Sequence, residues 1–559
     1  MGSELGITAD SKPEAVYSPV SIWWATWGCV WTLAVAAGMA FLISRRNMPI
    51  LRVRSLGLSL SAILLLHLYW FSVQWGIMIG PLMPGDAQYW IMGTYLPCGI
   101  ALFHASNSHF LHVAKLQKKY AKYSFLIDST PAVKRRRGGL IGRFQALEYS
   151  MKTIILVGIA MFIQLFLTIL MWLISRKFHP SFGIPGTEVH GTPMEVKAEQ
   201  GRGWEWWPGV FWQLFWAWIA APVILWRSRN IRDTQGWRVQ TIGCCLASLH
   251  ATPMWLIGLY VPAMEVVNQY WIPPQWVCLS IFIIEIFTVF LPCWEVIRHQ
   301  SLHQETLDAI KQWELRTKGA GSDNKSLGSA ATMVESMMSG WKSTNDSVLS
   351  DSSARESILN MSALEYVLER NPTPLQKFSA LNDFSGENVA FLTSVAEWKN
   401  SLPKALIDSN GAPDDSVREA IRESFNSALY IYAEFISVRH AEFPVNISSQ
   451  DLKKLDNVFE TAARIMYGDD EKVDPATPFN ASGLPSPSYS EFSESSVAAI
   501  KNRAQYMGDV PPGFGATVFD DAEHSIKYLV LTNTWPKFVK KRRGSTDSAE
   551  TLQATQDFV

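Results

Sequence analysis

Seven apolar stretches, at about residues 20–43, 56–79, 90–114, 153–175, 208–228, 240–262 and 272–297, constrain this chain more than any other feature. Each reaches or approaches the ~20 residues that a helix rising 1.5 Å per residue needs to cross a hydrocarbon core. Lipid offers no hydrogen bonds, so each stretch must satisfy its own backbone and is expected to be helical. The first begins well after Met1, has no basic lead and no small-residue cleavage site, and reads as an anchor rather than a signal peptide.

Orientation follows from the placement of Lys and Arg in the short loops. Loop one carries Arg45, Arg46, Arg52 and Arg54. Loop three carries Lys115, Lys118, Lys119, Lys122 and the basic run 134–137, and loop five carries Arg227, Arg229, Arg232 and Arg238. Loops two and six carry none. Loop four mixes Arg176, Lys177, Lys197 and Arg202 with Glu188, Glu195, Glu199 and Glu205. The odd loops are therefore expected in the cytosol, with residues 1–19 extracellular and everything after 298 cytosolic. Trp23, Trp24, Trp70, Trp75, Tyr89, Trp90, Trp204, Trp206, Trp207, Trp271 and Trp276 fit an interfacial aromatic belt.

Polar side chains within the spans are costly in lipid and are expected to face the bundle interior. They are His67 in the second span, His104 and Asn107 in the third, His250 in the sixth and Glu285 in the seventh. Glu285, set within Ile281-Phe282-Ile283-Ile284-Glu285-Ile286-Phe287, stands out and is expected to be protonated or paired, with a His as the natural partner. These five are the candidates for sensing within the membrane, with an unidentified extracellular ligand as the implied input. An interhelical hydrogen bond with no ligand explains them equally well.

The six cysteines lie in or beside spans and lack metal-site spacing; His299 and His303 are four apart but have no third ligand in view. No metal and no cofactor is expected. Loop four has no Cys, and Leu111-His112-Val113-Ala114-Lys115 stands where rhodopsin-like receptors carry a D/E-R-Y triplet, so seven spans alone do not identify such a receptor. A formal net charge of −1 gives no bias toward nucleic acid.

Beyond the membrane half the composition shifts to Ser, Asp, Glu, Lys and Asn. Residues 298–356 read as a juxtamembrane helix followed by a mobile linker. Then Phe391, Val395 and Trp398 recur at helical spacing, as do Val417, Ile421, Phe425, Leu429, Tyr432 and Ile436. Capping signals at Ser385, Ser416 and Ser448 start successive helices. No strand alternation is present, so the fold class is all-α: a seven-helix transmembrane bundle (20–297) followed by a soluble helical bundle (357–540). A Pro- and Ser-rich stretch at 468–515 reads as a disordered insertion, and 541–559 as a disordered tail. The cluster Lys540, Lys541, Arg542 and Arg543 suits contact with anionic membrane lipids.

Four blocks in the soluble half carry a family signal. They are Ser362-Ala363-Leu364-Glu365-Tyr366-Val367-Leu368, then Phe384-Ser385-Gly386-Glu387-Asn388 leading to Glu397-Trp398-Lys399. Next come Ile431-Tyr432-Ala433-Glu434-Phe435-Ile436 with Val445-Asn446-Ile447, and last Phe519-Asp520-Asp521-Ala522 through Trp535-Pro536-Lys537-Phe538. In this order they resemble the regulator of G-protein signalling (RGS) family over most of residues 357–540. With seven spans ahead of them, the layout is similar to the membrane-bound RGS proteins of fungi and plants.

The resemblance implies a helical bundle that grips the switch regions of an activated heterotrimeric Gα subunit and speeds its GTP hydrolysis. The chain would then be an activator and negative regulator of G-protein signalling, not itself an enzyme. Carried over by position, Glu387 and Asn388 meet the switches, Asn446 approaches the water-positioning Gln, and Leu529, Asn533, Thr534 and Lys537 form the last contact patch. Asn533 stands where the family usually has Asp, and Lys537 where it commonly has Arg, so altered Gα preference or weaker binding is expected. Phe391, Trp398, Tyr432 and Phe538 are expected in the core. The setting is the plasma membrane, with endosomal membranes as a second. The alternatives are a G-protein-coupled receptor with an RGS scaffold, and a membrane adaptor without GTPase-activating power.

Overall fold

In the computed structural model the described residues are 7, 11–52, 54–123, 144, 149–179, 181–319, 358–403, 415–467 and 506–542. Among them no strand forms beyond one isolated bridge between Ser175 and Ile184. The membrane half contains α1 (Pro19–Ser44), α2 (Leu56–Gln74), α3 (Ala87–Gln117) and α4 (Tyr149–Ile174). It continues with α5 (Trp207–Phe215, then Ala221–Ser228), α6 (Trp237–Ser248, then Ala251–Tyr260) and α7 (Pro274–Glu285, then Leu291–Gly319). Among the described residues six helices are long and apolar enough to cross a membrane, where seven were expected. The one not among them is α3, whose apolar run is interrupted by buried His104, Ser106, Asn107 and His109.

Close approach lets α3 sit inside. A Cβ at Gly99 would stand 2.7 Å from Leu66 of α2, and one at Gly93 would stand 2.5 Å from Thr168 of α4. Small residues at such crossings are the usual means of tight helix contact in lipid. Pro97 removes one backbone donor from α3 and deprives the Gly93 carbonyl of its helical partner. Thr168 Oγ1 donates to that carbonyl at 3.3 Å, and Trp212 Nε1 donates to the Pro97 carbonyl at 3.0 Å. The carbonyl freed by Pro97 is thus satisfied by a neighbouring helix.

The aromatic belt is only partly at the rim. Trp23, Trp204 and Trp207 are exposed, whereas Trp70, Tyr89 and Trp206 are buried, Trp206 packing edge-on against Tyr89. Loop four neutralises its own charges: Arg176 pairs with Glu188 at 2.7 Å and Lys177 with Glu205 at 3.0 Å. The juxtamembrane helix is not a separate element, because α7 runs on to Gly319.

The C-terminal half is a helical bundle of α8 (Met361–Arg370), α9 (Thr373–Phe378), α10 (Gly386–Asn400), α11 (Asp415–Ile431), α12 (Ser449–Tyr467) and α13 (Asp520–Leu529, resuming after a π-turn over 535–542). Each of α9, α11 and α13 runs into a π-turn, at Ser379–Asp383, Tyr432–Ile436 and Val530–Thr534. Phe391, Trp398, Phe425, Tyr432, Phe459 and Phe519 are all 0% exposed and pack as one aromatic cluster. Buried indoles keep their polar handles satisfied: Trp398 Nε1 donates to the Ser424 carbonyl at 3.0 Å and Trp535 Nε1 to that of Ile358 at 2.9 Å. Phe538 is buried with them.

Two boundaries move. Residues 506–515, expected within the insertion, pack against the core through a few side chains: Phe514 packs on Trp398 and Phe425, and Tyr506 exchanges hydrogen bonds with Asn426. Lys541 and Arg542, expected in the tail, extend the last helix. Most of the linker, the rest of the insertion and residues 543–559 lie outside the described residues. Phe459 stacks on Phe425, Tyr432 and Phe519 at centroid distances of 5.6, 5.3 and 5.6 Å. Phe459→Ala is expected to destabilise the C-terminal bundle by about 3–5 kcal/mol, read as a lowered thermal unfolding midpoint beside a surface Ile465→Ala control that stays near wild type.

Candidate functional site

Two neighbourhoods gather the candidate residues. The first lies where the C-terminal bundle meets one end of the membrane half. Asp383 closes the π-turn after α9 with only 1% exposure, and its carboxylate needs partners because a buried unpaired charge is very costly. It finds four. Lys537 Nζ donates to Oδ1 at 2.8 Å, Thr534 Oγ1 and Ser385 Oγ donate to Oδ2 at 2.9 and 3.0 Å, and Thr234 Oγ1 of the membrane half donates to Oδ1 at 3.0 Å. Burial alone would raise the Asp383 carboxyl, but the Lys537 ammonium and these hydrogen bonds outweigh it and hold the group below its ordinary value.

This network draws together the turn that opens α10 and the end of α13. Ser385, expected to cap α10, spends its hydroxyl on Asp383 and Thr534 instead. Asn533 Oδ1 accepts from Lys537 Nζ at 2.8 Å and lies 2.7 Å from His299 Nε2 on α7. Thr534 is 1% exposed, Asn388 6% and Asn533 8%, while Glu387 and Lys537 are half-buried. Leu529 packs partly buried against the core. Asn446 is exposed on the loop that follows α11, where Val445 N donates to the Phe435 carbonyl at 2.8 Å, and no hydrogen bond ties it to the other contact residues.

The second neighbourhood is inside the membrane half. His67 Nδ1 lies 2.7 Å from Glu285 Oε1, His67 Nε2 lies 3.0 Å from Thr32 Oγ1, and Trp31 Nε1 donates to Glu285 Oε2 at 2.5 Å. Glu285 is 0% exposed, so α1, α2 and α7 are joined through one carboxyl group. A π-turn at Ile286–Phe290 follows it directly, a helix irregularity that recurs at functional positions. His104 is elsewhere: it stacks on Trp216 at 4.7 Å and lines a cavity of about 40 Å³ with Gln213, Thr252 and Ser280. Asn107 is buried and His250 half-buried; neither joins the Glu285 pair by a hydrogen bond. Among the described residues no group of three or more His, Cys, Asp or Glu is placed to hold a metal.

Sequence reasoning did not single out Asp383, nor its partner Thr234. Asp383 immediately precedes the Phe384-Ser385-Gly386-Glu387-Asn388 block, the one local hint. Apart from Ser385, two residues on, its partners come from 149 to 154 residues away, a separation that carries no periodic signal.

Removing one side of a buried ion pair strands the other. Asp383→Ala is therefore expected to cost about 3–5 kcal/mol, more than the surface variant Asp521→Ala, in thermal unfolding of the whole chain. The pH sign follows from the lowered folded-state value: the Asp383 contribution is present above its unfolded value of 3.8 and is lost as pH falls through the folded one. Asp383→Asn should flatten that acid-side loss. In the membrane half, Glu285→Ala leaves His67 and Trp31 without their acceptor and is expected to cost about 1–2 kcal/mol, whereas Glu285→Gln, which retains an acceptor, should melt closer to wild type. Comparison with family models, with curated proteins and with solved structures yields no match.

Proposed function

We propose that this protein is a membrane-tethered GTPase-activating protein for heterotrimeric Gα subunits and a negative regulator of G-protein signalling. In this reading α3 spans the membrane with the six more apolar helices, the N-terminus is extracellular and the C-terminal bundle is a cytosolic RGS domain. The plasma membrane is its setting. The observation that carries the reading is the meeting of the family blocks: the turn 384–388 and the end of α13, 146 residues apart from Glu387 to Asn533, are fastened to each other around Asp383. Loops brought together at one end of a rigid bundle are the arrangement that gripping a switch region requires.

The chemistry asked of such a site is modest. A Gα subunit brings its own transition-state Arg and a Gln that positions water, so the helper stabilises a geometry and donates no group of its own. Glu387, Asn388 and the exposed Asn446 would hold the switches; Leu529, Asn533, Thr534 and Lys537 would complete the patch. The charge distribution of the loops supports the orientation. Arg54 in loop one bonds Gln235 and Gln240, and loops three and five both contact the C-terminal bundle, so the three basic loops share its end of the membrane half.

The adaptor without acceleration has one observation in its favour. Asn533 and Lys537, the two departures from the family pattern, are already bonded to each other and to His299 and Asp383. Single-turnover GTP hydrolysis by candidate Gα subunits with residues 357–544 separates the readings. Acceleration is expected, reduced about tenfold or more by Asn446→Ala and by Glu387→Ala, a loss of roughly 1.4 kcal/mol or more in transition-state stabilisation. A folded fragment that binds Gα with no acceleration favours the adaptor.

A further inference from the structure

Part of the face proposed to meet Gα, at Glu387 and Asn533, is covered by the chain's own membrane half. Gln117, at the end of α3 and 0% exposed, accepts from the Gly386 backbone N–H at 3.0 Å and donates to Glu387 Oε2 at 2.9 Å. It thereby occupies the first turn of α10 and the carboxylate of a proposed switch contact at once. The approach is tight: a Cβ at Gly386 would stand 2.7 Å from the Cβ of Tyr120. From loop five, Thr234 donates its backbone N–H to the Asn382 carbonyl at 2.9 Å, and Gln235 Nε2 donates to the Asp383 carbonyl at 2.7 Å. From α7, His299 meets Asn533.

Apolar contacts hold what these hydrogen bonds align. Phe384 has a φ of 51°, an unusual conformation for a bulky residue, and its ring is 2% exposed. That conformation delivers the ring to a small cluster of the membrane half, 6.1 Å from Phe110 and 6.3 Å from Trp237. Tyr120 and Tyr123, just beyond α3, pack against Phe435 at 6.2 and 5.4 Å. Strain of this kind persists where the surroundings enforce it and clusters at switching segments. Hydrogen bonds that water can replace on separation contribute only about 0.5–1.5 kcal/mol each when neutral and about 1.5–3 kcal/mol when they reach a carboxylate such as Glu387 or Asp383, so a competing partner or a shift of α3 or α7 can displace them.

We infer that the membrane bundle holds the C-terminal domain in a docked state that masks its partner-binding face, and that Gα is engaged only when loop five and the end of α3 release it. The identity of the partner rests on the function proposed above; the masking does not. Asn446 lies outside the covered area and stays exposed, so a Gα subunit has a foothold before release. A cue acting on the bundle need only bias docked against released, by as much as it binds the two states differently.

The test uses the full chain in lipid nanodiscs in three forms: wild type, a loosened Gln117→Ala/Thr234→Ala variant, and Thr234→Cys/Asn382→Cys, whose adjacent backbones allow an oxidisable lock. None of these positions is a proposed Gα contact. Hydrogen exchange of the Gly386 amide reads masking without any Gα; single-turnover GTP hydrolysis reads its consequence. The loosened form should exchange at least tenfold faster at Gly386 and accelerate hydrolysis at least fivefold more than wild type. The lock should suppress acceleration when oxidised and restore it on reduction. Equal exchange in loosened and wild-type chains, a lock that fails to form, or an oxidised lock as active as its reduced form overturns the masking. Exchange and cross-linking as expected, with no acceleration by any form or by residues 357–544, sinks the proposed function and leaves the docked arrangement standing.

Discussion

The carboxylate of Asp383 organises more of this protein than any other group. A charge with 1% exposure must be neutralised and hydrogen-bonded where it sits, and here that brings two distant segments onto the turn that carries it. The turn into α10 supplies Ser385, the last helix supplies Thr534 and Lys537, and loop five of the membrane half supplies Thr234. The geometry of the proposed partner face and its attachment to the bundle therefore have a common origin. The ring of Phe384, next in sequence, enters the aromatic cluster of the membrane half from the same turn.

A parallel logic governs the membrane half at greater depth. Its helices gain little from hydrophobic association in lipid, so small residues and polar contacts decide which surfaces meet. Gly93 and Gly99 let α3 approach its neighbours, Thr168 repairs the gap left by Pro97, and Glu285 ties α7 to His67 and Trp31. α3 carries buried His104, Ser106, Asn107 and His109. Its end then projects Gln117 and Tyr120 onto the C-terminal bundle, so packing inside the membrane half and coverage of the partner face share one rigid element.

Much of the architecture was legible in the chain because it depends on local pattern. Apolar stretches marked the membrane helices to within a few residues, and the spacing of Phe391, Val395 and Trp398 marked a helix whose buried face is observed as such. Glu285 was recognisable as a residue needing a partner. The burial of His104, Ser106, Asn107 and His109 in α3 was harder to read, since polar residues that face protein weaken a helix's hydropathy signal. Residues 506–515 were read as insertion because Pro and Gly dominate them, yet Phe514 and Tyr506 are enough to anchor that stretch to the aromatic core.

Local pattern in the chain suffices for the elements themselves: the helices of both halves, their order and the basic loops. These follow from periodicity, composition and motif, each confined to a short window of chain. Which groups share a site is settled by packing between distant segments. Asp383 and Thr234 are 149 residues apart, and Gln117 and Glu387 are 270 apart. No local rule couples such positions, because their energy comes from burial and hydrogen bonding that exist only once both halves have folded and met.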